Sequence, residues 1–366
     1  MNRFPPRGPL GKFRSPIDRS LRMVAVLALV GVLASAVQLA RSQAELASLR
    51  TDVSARLAAD DPCAGARAMS GQSCSDRFEL PRDLEPAVSA ADVGVVEGTP
   101  PFLGGCAHHL IGTDVLNKHC VWRTPGATKT IALVGDSHAA MWADGLLEGA
   151  DARHWNVEVY FHGGCLLSDV SGRASQAVVS SACSAWSAWV GDQLRHRDDL
   201  DTVVYGSHAA AYVQERTGVP DASEDVVDSA VASISSWKDA ARRVLILRDV
   251  PNPGSDVPRC LASTVSAGAR SDPCSVSRGK DAPLDDHESQ RIAARLGLPL
   301  IDTTDLFCDA ATCHSVIGGV VVYRDDDHLT ASFARTAGAA LADRIDRAAG
   351  SHDRCAGGRR QACRRG

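Results

Sequence analysis

The chain has 366 residues, 45% hydrophobic and 23% charged, a globular composition that excludes a disordered or collagen-like polymer. One long uncharged stretch occurs, Met23 to Ala40, which excludes a polytopic membrane protein. The formal net charge of −5 conceals two basic ends: six basic groups against Asp18 in residues 1–22, and five Arg against Asp353 in the last sixteen residues. Setting both ends aside leaves 28 basic against 42 acidic groups, and a body so acidic excludes nucleic acid as a partner, because phosphate contact needs clustered Lys and Arg.

In chain order, residues 1–22 form a basic tail rich in Pro and Gly, and residues 23–40 an apolar helix. Eighteen helical residues span about 27 Å, close to the lower limit for crossing a bilayer. Positive charge before the span places the N-terminus in the cytoplasm and the remainder outside. A signal peptide is the competing reading, since Ala34-Ser35-Ala36 has the form of a cleavage site. Either way the body is extracytoplasmic. Residues 41–100 read as a stalk and irregular lead-in ending at Thr99-Pro100-Pro101.

From residue 101 to 348 short β-branched runs alternate with longer amphipathic ones. The strand candidates are Thr130–Val134, Val157–Phe161, Thr202–Tyr205, Val244–Leu247 and Leu300–Asp302. The helix candidates are Ala139–Gly149, Ser184–Arg197, Ser223–Arg242, Asp286–Leu296 and Ala331–Ala348. Such alternation predicts an α/β fold, a doubly wound, flavodoxin-like five-stranded parallel sheet in a three-layer α/β/α domain, with its site at the carboxyl ends of the strands. Residues 349–366 form a second basic tail.

Twelve Cys fall as six successive near neighbours. An even count of this size suits an oxidising compartment. Sequential pairing gives Cys63–Cys74, Cys106–Cys120, Cys165–Cys183, Cys260–Cys274, Cys308–Cys313 and Cys355–Cys363. Metal is the rival reading, with Cys308, Cys313 and His314 as three ligands, but no CxxC pair stands nearby to complete a zinc site. No metal or cofactor is expected.

Gly135-Asp136-Ser137-His138 follows the apolar run Ile131–Val134 directly. A Ser at a strand-to-helix turn projects its hydroxyl into the crevice, although Asp136 or Ser137 would also serve simply as a helix cap. Near the other end, Tyr323-Arg324-Asp325-Asp326-Asp327-His328-Leu329-Thr330 precedes the last helix. A helical turn would put Asp325 and His328 on one face. Asp325 would then hold Nδ1–H of His328, and Nε2 would take the Ser137 proton. His138 reads as packing or hydrogen bonding beside the turn, Arg324 as a substrate contact or an ion pair, and Trp142, Trp186, Trp189 and Trp237 as core.

Val134-Gly135-Asp136-Ser137-His138-Ala139, Gly164-Cys165, Asp249-Val250-Pro251, Asp305-Leu306-Phe307-Cys308, Tyr323-Arg324-Asp325 and His328-Leu329-Thr330 together resemble the SGNH hydrolase superfamily. The closer likeness is to the SGNH domain fused to bacterial acyltransferase-3 membrane proteins. The resemblance implies Ser137 as nucleophile, His328 as general base and Asp325 as its orienting carboxylate. It also implies an oxyanion hole from Ser137, Gly164 (with Gly163 as the alternative) and a residue after the third strand. There the family's Asn is missing from Tyr205-Gly206-Ser207-His208, leaving Ser207, or else His208, as donor.

The implied reaction is transfer of an acetyl or other short acyl group to a cell-envelope glycan through an acyl-serine. A carbohydrate acetylesterase of the same fold is the alternative, as is a catalytically silent, anchored glycan-binding domain. The fused proteins relay the acyl group through a multi-helix membrane domain, which a single apolar span cannot build. The expected partners are therefore a glycan acceptor, the membrane through the N-terminal helix, and a separate acyltransferase-3 membrane protein as acyl donor. Otherwise the chain only removes acyl groups, or is the tail of a split protein.

Overall fold

The computed structural model describes residues 16–70, 74–81, 84, 86–98, 106–108, 117–167, 177–208, 222–265, 268, 270–278 and 287–357. Two compact units divide the chain, 1–48 and 49–366. Helix Pro16–Ala58 supplies the described part of the first. Its Met23–Ala58 portion reaches a mean hydropathy of 2.4 over eighteen residues, long and apolar enough to cross a membrane.

The second unit is built on a seven-stranded sheet. Its strands are β1 (Cys106–His108), β2 (Asn117–Trp122), β3 (Lys129–Gly135), β4 (Trp155–His162), β5 (Thr202–Gly206), β6 (Arg243–Leu247) and, after a short β7 (Val276–Ser277) that pairs elsewhere, β8 (Leu300–Ile301). The spatial order is β1-β2-β4-β3-β5-β6-β8. From β4 to β8 all pairings are parallel, so the five predicted strands form the doubly wound sheet the alternation implied. The addition is an antiparallel edge, in which β2 pairs with β4 and β1 with β2. Cys106 stands directly opposite Cys120 in that register, and a disulfide joins them.

Burial explains why the strands read as unbroken apolar runs. Ile131 through Val134 are all at most 1% exposed, as expected for a sheet covered on both faces. The period of two sorts them. Ile131 and Leu133 join Val157, Val159, Leu245 and Leu247 in one core. Ala132 and Val134 join Tyr160, Val203, Tyr205 and Ile246 in the other, with Trp186 and Trp237. One charged residue interrupts this pattern. Glu158 of β4 is buried, yet Arg197 at 2.8 and 2.9 Å, Arg123 at 2.8 Å and His119 at 3.2 Å surround its carboxylate. Burial pushes this carboxyl up, but His119 and Arg197 outweigh it and hold it well below the usual range.

Helices differ from expectation in several places: Ala222–Ser235 ends seven residues before Arg242, Ala177–Arg195 begins seven residues before Ser184, Val257–Val265 is an addition, and the first and last helices of the sheet domain are broken. The first is interrupted, running Ser137–Ala140 and then Ala143–Asp151. The last divides into Ala331–Thr336 and Gly338–Gly357. These pieces cross closely: a Cβ at Gly145 would strike the Ala334 carbonyl, and one at Gly149 the Gly338 carbonyl. Glycine is therefore required where the two helices touch.

The lead-in is more than a stalk. From Leu49 onward it belongs to the same unit as the sheet. Val53 and Leu57 enter the first core, Arg50 pairs with Asp92 at 2.8 Å, and the Asp92 carboxylate accepts Ser332 N–H at 2.9 Å. The boundary expected at Thr99-Pro100-Pro101 lies outside the described residues. Among the described residues five disulfides are formed: Cys63–Cys74, Cys106–Cys120, Cys165–Cys183, Cys260–Cys274 and Cys308–Cys313. The bond between Cys308 and Cys313 removes the thiolates that a zinc reading would need. The Cys355–Cys363 pair involves Cys363, outside the described residues.

Candidate active site

β3 ends at Gly135 with φ +152°, and a Cβ there would collide with the Gly206 carbonyl at the end of β5. Glycine thus lets two parallel strands converge where the chain turns into a helix. Asp136 is the N-cap: one carboxylate oxygen accepts His138 N–H at 2.9 Å and the other His208 N–H at 3.0 Å. Burial raises its carboxyl. Because Asp136 carries the cap, Ser137 is left half-buried with its hydroxyl not required for the turn.

The loop that bears His328 is a narrow hairpin rather than a helical turn. Tyr323 bridges Leu329, and Arg324 N–H donates to the His328 carbonyl at 2.9 Å. Asp325 Oδ1 accepts the backbone N–H of His328 at 2.6 Å and of Asp327 at 3.1 Å. The His328 ring closes on the same side chain, Nδ1 lying 3.1 and 3.0 Å from its two oxygens. So the three-residue spacing does bring carboxylate and imidazole together, through a side-chain-to-backbone turn. Leu329 N–H donates to Met141 Sδ at 3.4 Å, which fastens this loop beside the segment that begins with Ser137. The His328 ring is 4.9 Å from that of His138, the residue after Ser137. Its Nε2 is buried without a hydrogen-bond partner.

Around this pair lies a cluster that sequence reasoning left largely unassigned. His138 is 2% exposed, and its Nδ1 is 2.7 Å from Asp249, just beyond β6. His208 stacks on His138 at 4.0 Å. Asp327 Oδ2 lies 3.4 Å from His208 Nδ1 and 3.7 Å from His138 Nε2, while its Oδ1 lies 2.6 Å from His328 Nδ1. Burial pushes the His138 imidazole down, but Asp249 and Asp327 outweigh it and raise it well above its ordinary value. Burial likewise opposes charge on His328, and Asp325 and Asp327 overcome it to hold that imidazole at about 9. Asp325 and Asp327 are both lowered by the imidazoles despite their burial. Two signals for this cluster were present in the sequence: Asp249 sits just past a strand end, and Asp327 adjoins His328.

The remaining site residues fall as follows. Arg324 is in an ion pair, 2.9 Å from Glu97 and 3.3 Å from Asp325. Glu97 belongs to a short helix, Val95–Gly98, and burial raises its carboxyl. Gly164 follows β4 with φ +69°, a conformation its neighbour Gly163 does not share. Ser207 has its side chain buried. Alternation along β5 puts it on the face of Tyr205, whose hydroxyl donates to it at 3.1 Å, and it is 2% exposed. The next residue, His208, is the one that turns to the crevice. Spacing alone would let a cation sit among His138, His208 and Asp249, or His138, Asp327 and His328, or Asp325, Asp326 and Asp327, whose ligating atoms lie within 4.8 Å in each set.

The SGNH domain family, described as fused to AT3 domains, matches residues 105–343. No curated protein matches the chain. Among solved structures, the lipopolysaccharide acetyltransferase periplasmic domain of Salmonella ser. Paratyphi A is 16% identical, with 60% of this chain and 82% of that chain covered at a TM-score of 0.47. A carbohydrate acetylesterase from Sinorhizobium meliloti is 13% identical, covering 60% and 99% at 0.36. The M. smegmatis aryl esterase is 15% identical, covering 60% and 100% at 0.34. With its family match spanning well over half of its length, the chain belongs to the SGNH domain family of the form fused to AT3 domains, and is an enzyme of acyl transfer or hydrolysis.

Proposed function

We propose that this protein is an extracytoplasmic, membrane-anchored O-acyltransferase that moves an acetyl or similarly short acyl group onto a cell-envelope glycan. The observation that carries this reading is His328: Nδ1 is fixed by Asp325, and Nε2 is buried and unpartnered beside His138. In the first step His328 Nε2 takes the Ser137 proton as Oγ attacks the acyl carbonyl. The carbon–oxygen bond to the donor alcohol breaks, and the imidazolium returns its proton to that alcohol. In the second step the glycan hydroxyl attacks the acyl-serine and loses its proton to His328, restoring Ser137. Water in place of the glycan gives free acid and an esterase. Backbone N–H groups of Ser137 and Gly164 are the proposed oxyanion donors; with the Ser207 side chain turned away and the His208 backbone N–H taken by Asp136, the third falls to the His208 imidazole. The N-terminal helix is proposed to anchor the chain with residues 1–22 in the cytoplasm, and a separate acyltransferase-3 membrane protein to supply the acyl group.

A serine-directed fluorophosphonate is expected to label the wild type and not Ser137→Ala. Equal labelling of both would remove Ser137 as nucleophile. With 4-nitrophenyl acetate as donor and an envelope oligosaccharide as acceptor, mass spectrometry should show acetylated glycan. Release of acetate with no acetylated product would assign the site to hydrolysis.

A further inference from the structure

Two carboxylates, not one, face the imidazole of His328, and they are not equivalent. Asp325 Oδ1 is committed to its own turn, accepting the backbone N–H groups of Asp327 and His328. Its Oδ2 is shared with Arg324 at 3.3 Å. Asp327 Oδ1 stands closer to Nδ1, at 2.6 Å, than either oxygen of Asp325. Its Oδ2 faces two further imidazoles, His208 Nδ1 and the buried Nε2 of His138. His138 is itself held from the opposite side by Asp249.

We propose that Asp327 is a positioning residue for the base, one oxygen setting the ring of His328 and the other registering it against His138 and His208. The inference rests on the reading of His328 as the general base. In it the labour is divided: Asp325 shapes the hairpin and holds Nδ1, while Asp327 ties the ring to the strand ends through His138 and Asp249. A line of alternating carboxylates and imidazoles, Asp249–His138–Asp327–His328, then runs from the end of β6 to the last loop. The imidazole of His328 is faced by Asp325 and Asp327 from its own loop and by His138 beside the nucleophile; Glu97 interacts with it electrostatically, Arg324 pairs with Glu97 and Asp325, and His208 meets the shared Asp327. Asp136 and Asp249 face His138 in turn. Removing one of two carboxylates lowers the proton affinity of the ring and frees its orientation.

The test uses the full-length protein in detergent, with pH–rate profiles for an aryl acetate. Asp327→Asn is expected to lower kcat by about 10- to 100-fold with KM changed less than about threefold. The rising limb of kcat/KM should move toward acid by roughly one pH unit. Asp326→Asn makes the same charge change on an exposed neighbour and should leave both within about twofold. An unchanged kcat and midpoint in Asp327→Asn, with His328→Ala inactive, would overturn the positioning role and leave the triad standing. Full turnover by His328→Ala would instead overturn the base assignment itself. Should Asn at 327 prevent folding, Asp327→Glu decides: a displaced midpoint supports the role, and wild-type kcat with an unmoved midpoint overturns it. Loss of wild-type activity on EDTA treatment, restored by Zn²⁺, would also overturn it, since Asp327 would then be a ligand.

Discussion

Replacing His328 with Ala is expected to lower kcat/KM for an acetyl ester by about 10⁴-fold or more, the scale on which a nucleophile loses its base. The wild type should carry a second signature of the same group. Burial would depress this imidazole, yet Asp325 and Asp327 hold it at about 9. It is protonated below that value and a base only above it. Wild-type kcat/KM should therefore climb from neutral into mildly alkaline pH, by close to tenfold per unit well below the midpoint. His328→Ala should lose that climb together with the rate, and a stopped-flow or plate assay between pH 6 and 10 reads both. A wild-type profile flat across that range would contradict the pairing that the hairpin imposes. His138 stands apart: it is raised as well, but its Nδ1 is bound to Asp249, so it is held in place beside Ser137 rather than left as a competing base.

The second large effect belongs to the backbone. Gly135→Ala is expected to destabilise the protein by about 3–5 kcal/mol, because it combines a side chain at φ +152° with a collision against the Gly206 carbonyl. Differential scanning calorimetry should show this as a fall of roughly 5–15 °C in Tm. Activity should fall too, since Ser137 begins two residues on and its turn is built on that approach. Gly164→Ala is the contrast. Its φ of +69° lies near the left-handed region, a milder strain for Ala, and a Cβ there meets no neighbour within 4 Å, so the cost should stay near 1 kcal/mol. A Gly135→Ala variant as stable as Gly164→Ala would mean that β3 and β5 can separate at their ends without cost.

The parallel strands could be read from the chain because burial on both faces leaves a continuous apolar run, and Ile131–Val134 is such a run. β1 and β2 could not. Asn117–Trp122 carries Lys118 and His119, and its pairing with β4 depends on partners far away in sequence: Lys118 donates to the Val96 carbonyl at 2.7 Å, and His119 reaches Glu158. The break at Met141–Trp142 was equally hidden, since Trp142 is a buried core residue that fits a helical stripe as well as a kink. For the site, a spacing of three was enough to relate Asp325 to His328, although a hairpin achieves it instead of a helix. Asp327 was passed over because, within a run of three Asp, only the fold determines which carboxylate turns inward and which, like Asp326, faces water. Ser207 and His208 were left open for a similar reason. Neighbouring residues in a strand point to opposite faces, and which face holds the crevice depends on where the Ser137 helix lies.

The five disulfides among the described residues join cysteines separated by 11, 14, 18, 14 and 5 residues, and none of them reaches past another cysteine to find its mate. Each bond can therefore close shortly after its second thiol emerges, before the distal strands exist. Oxidative maturation then needs little reshuffling by an isomerase, because the nearest available thiol is also the correct one.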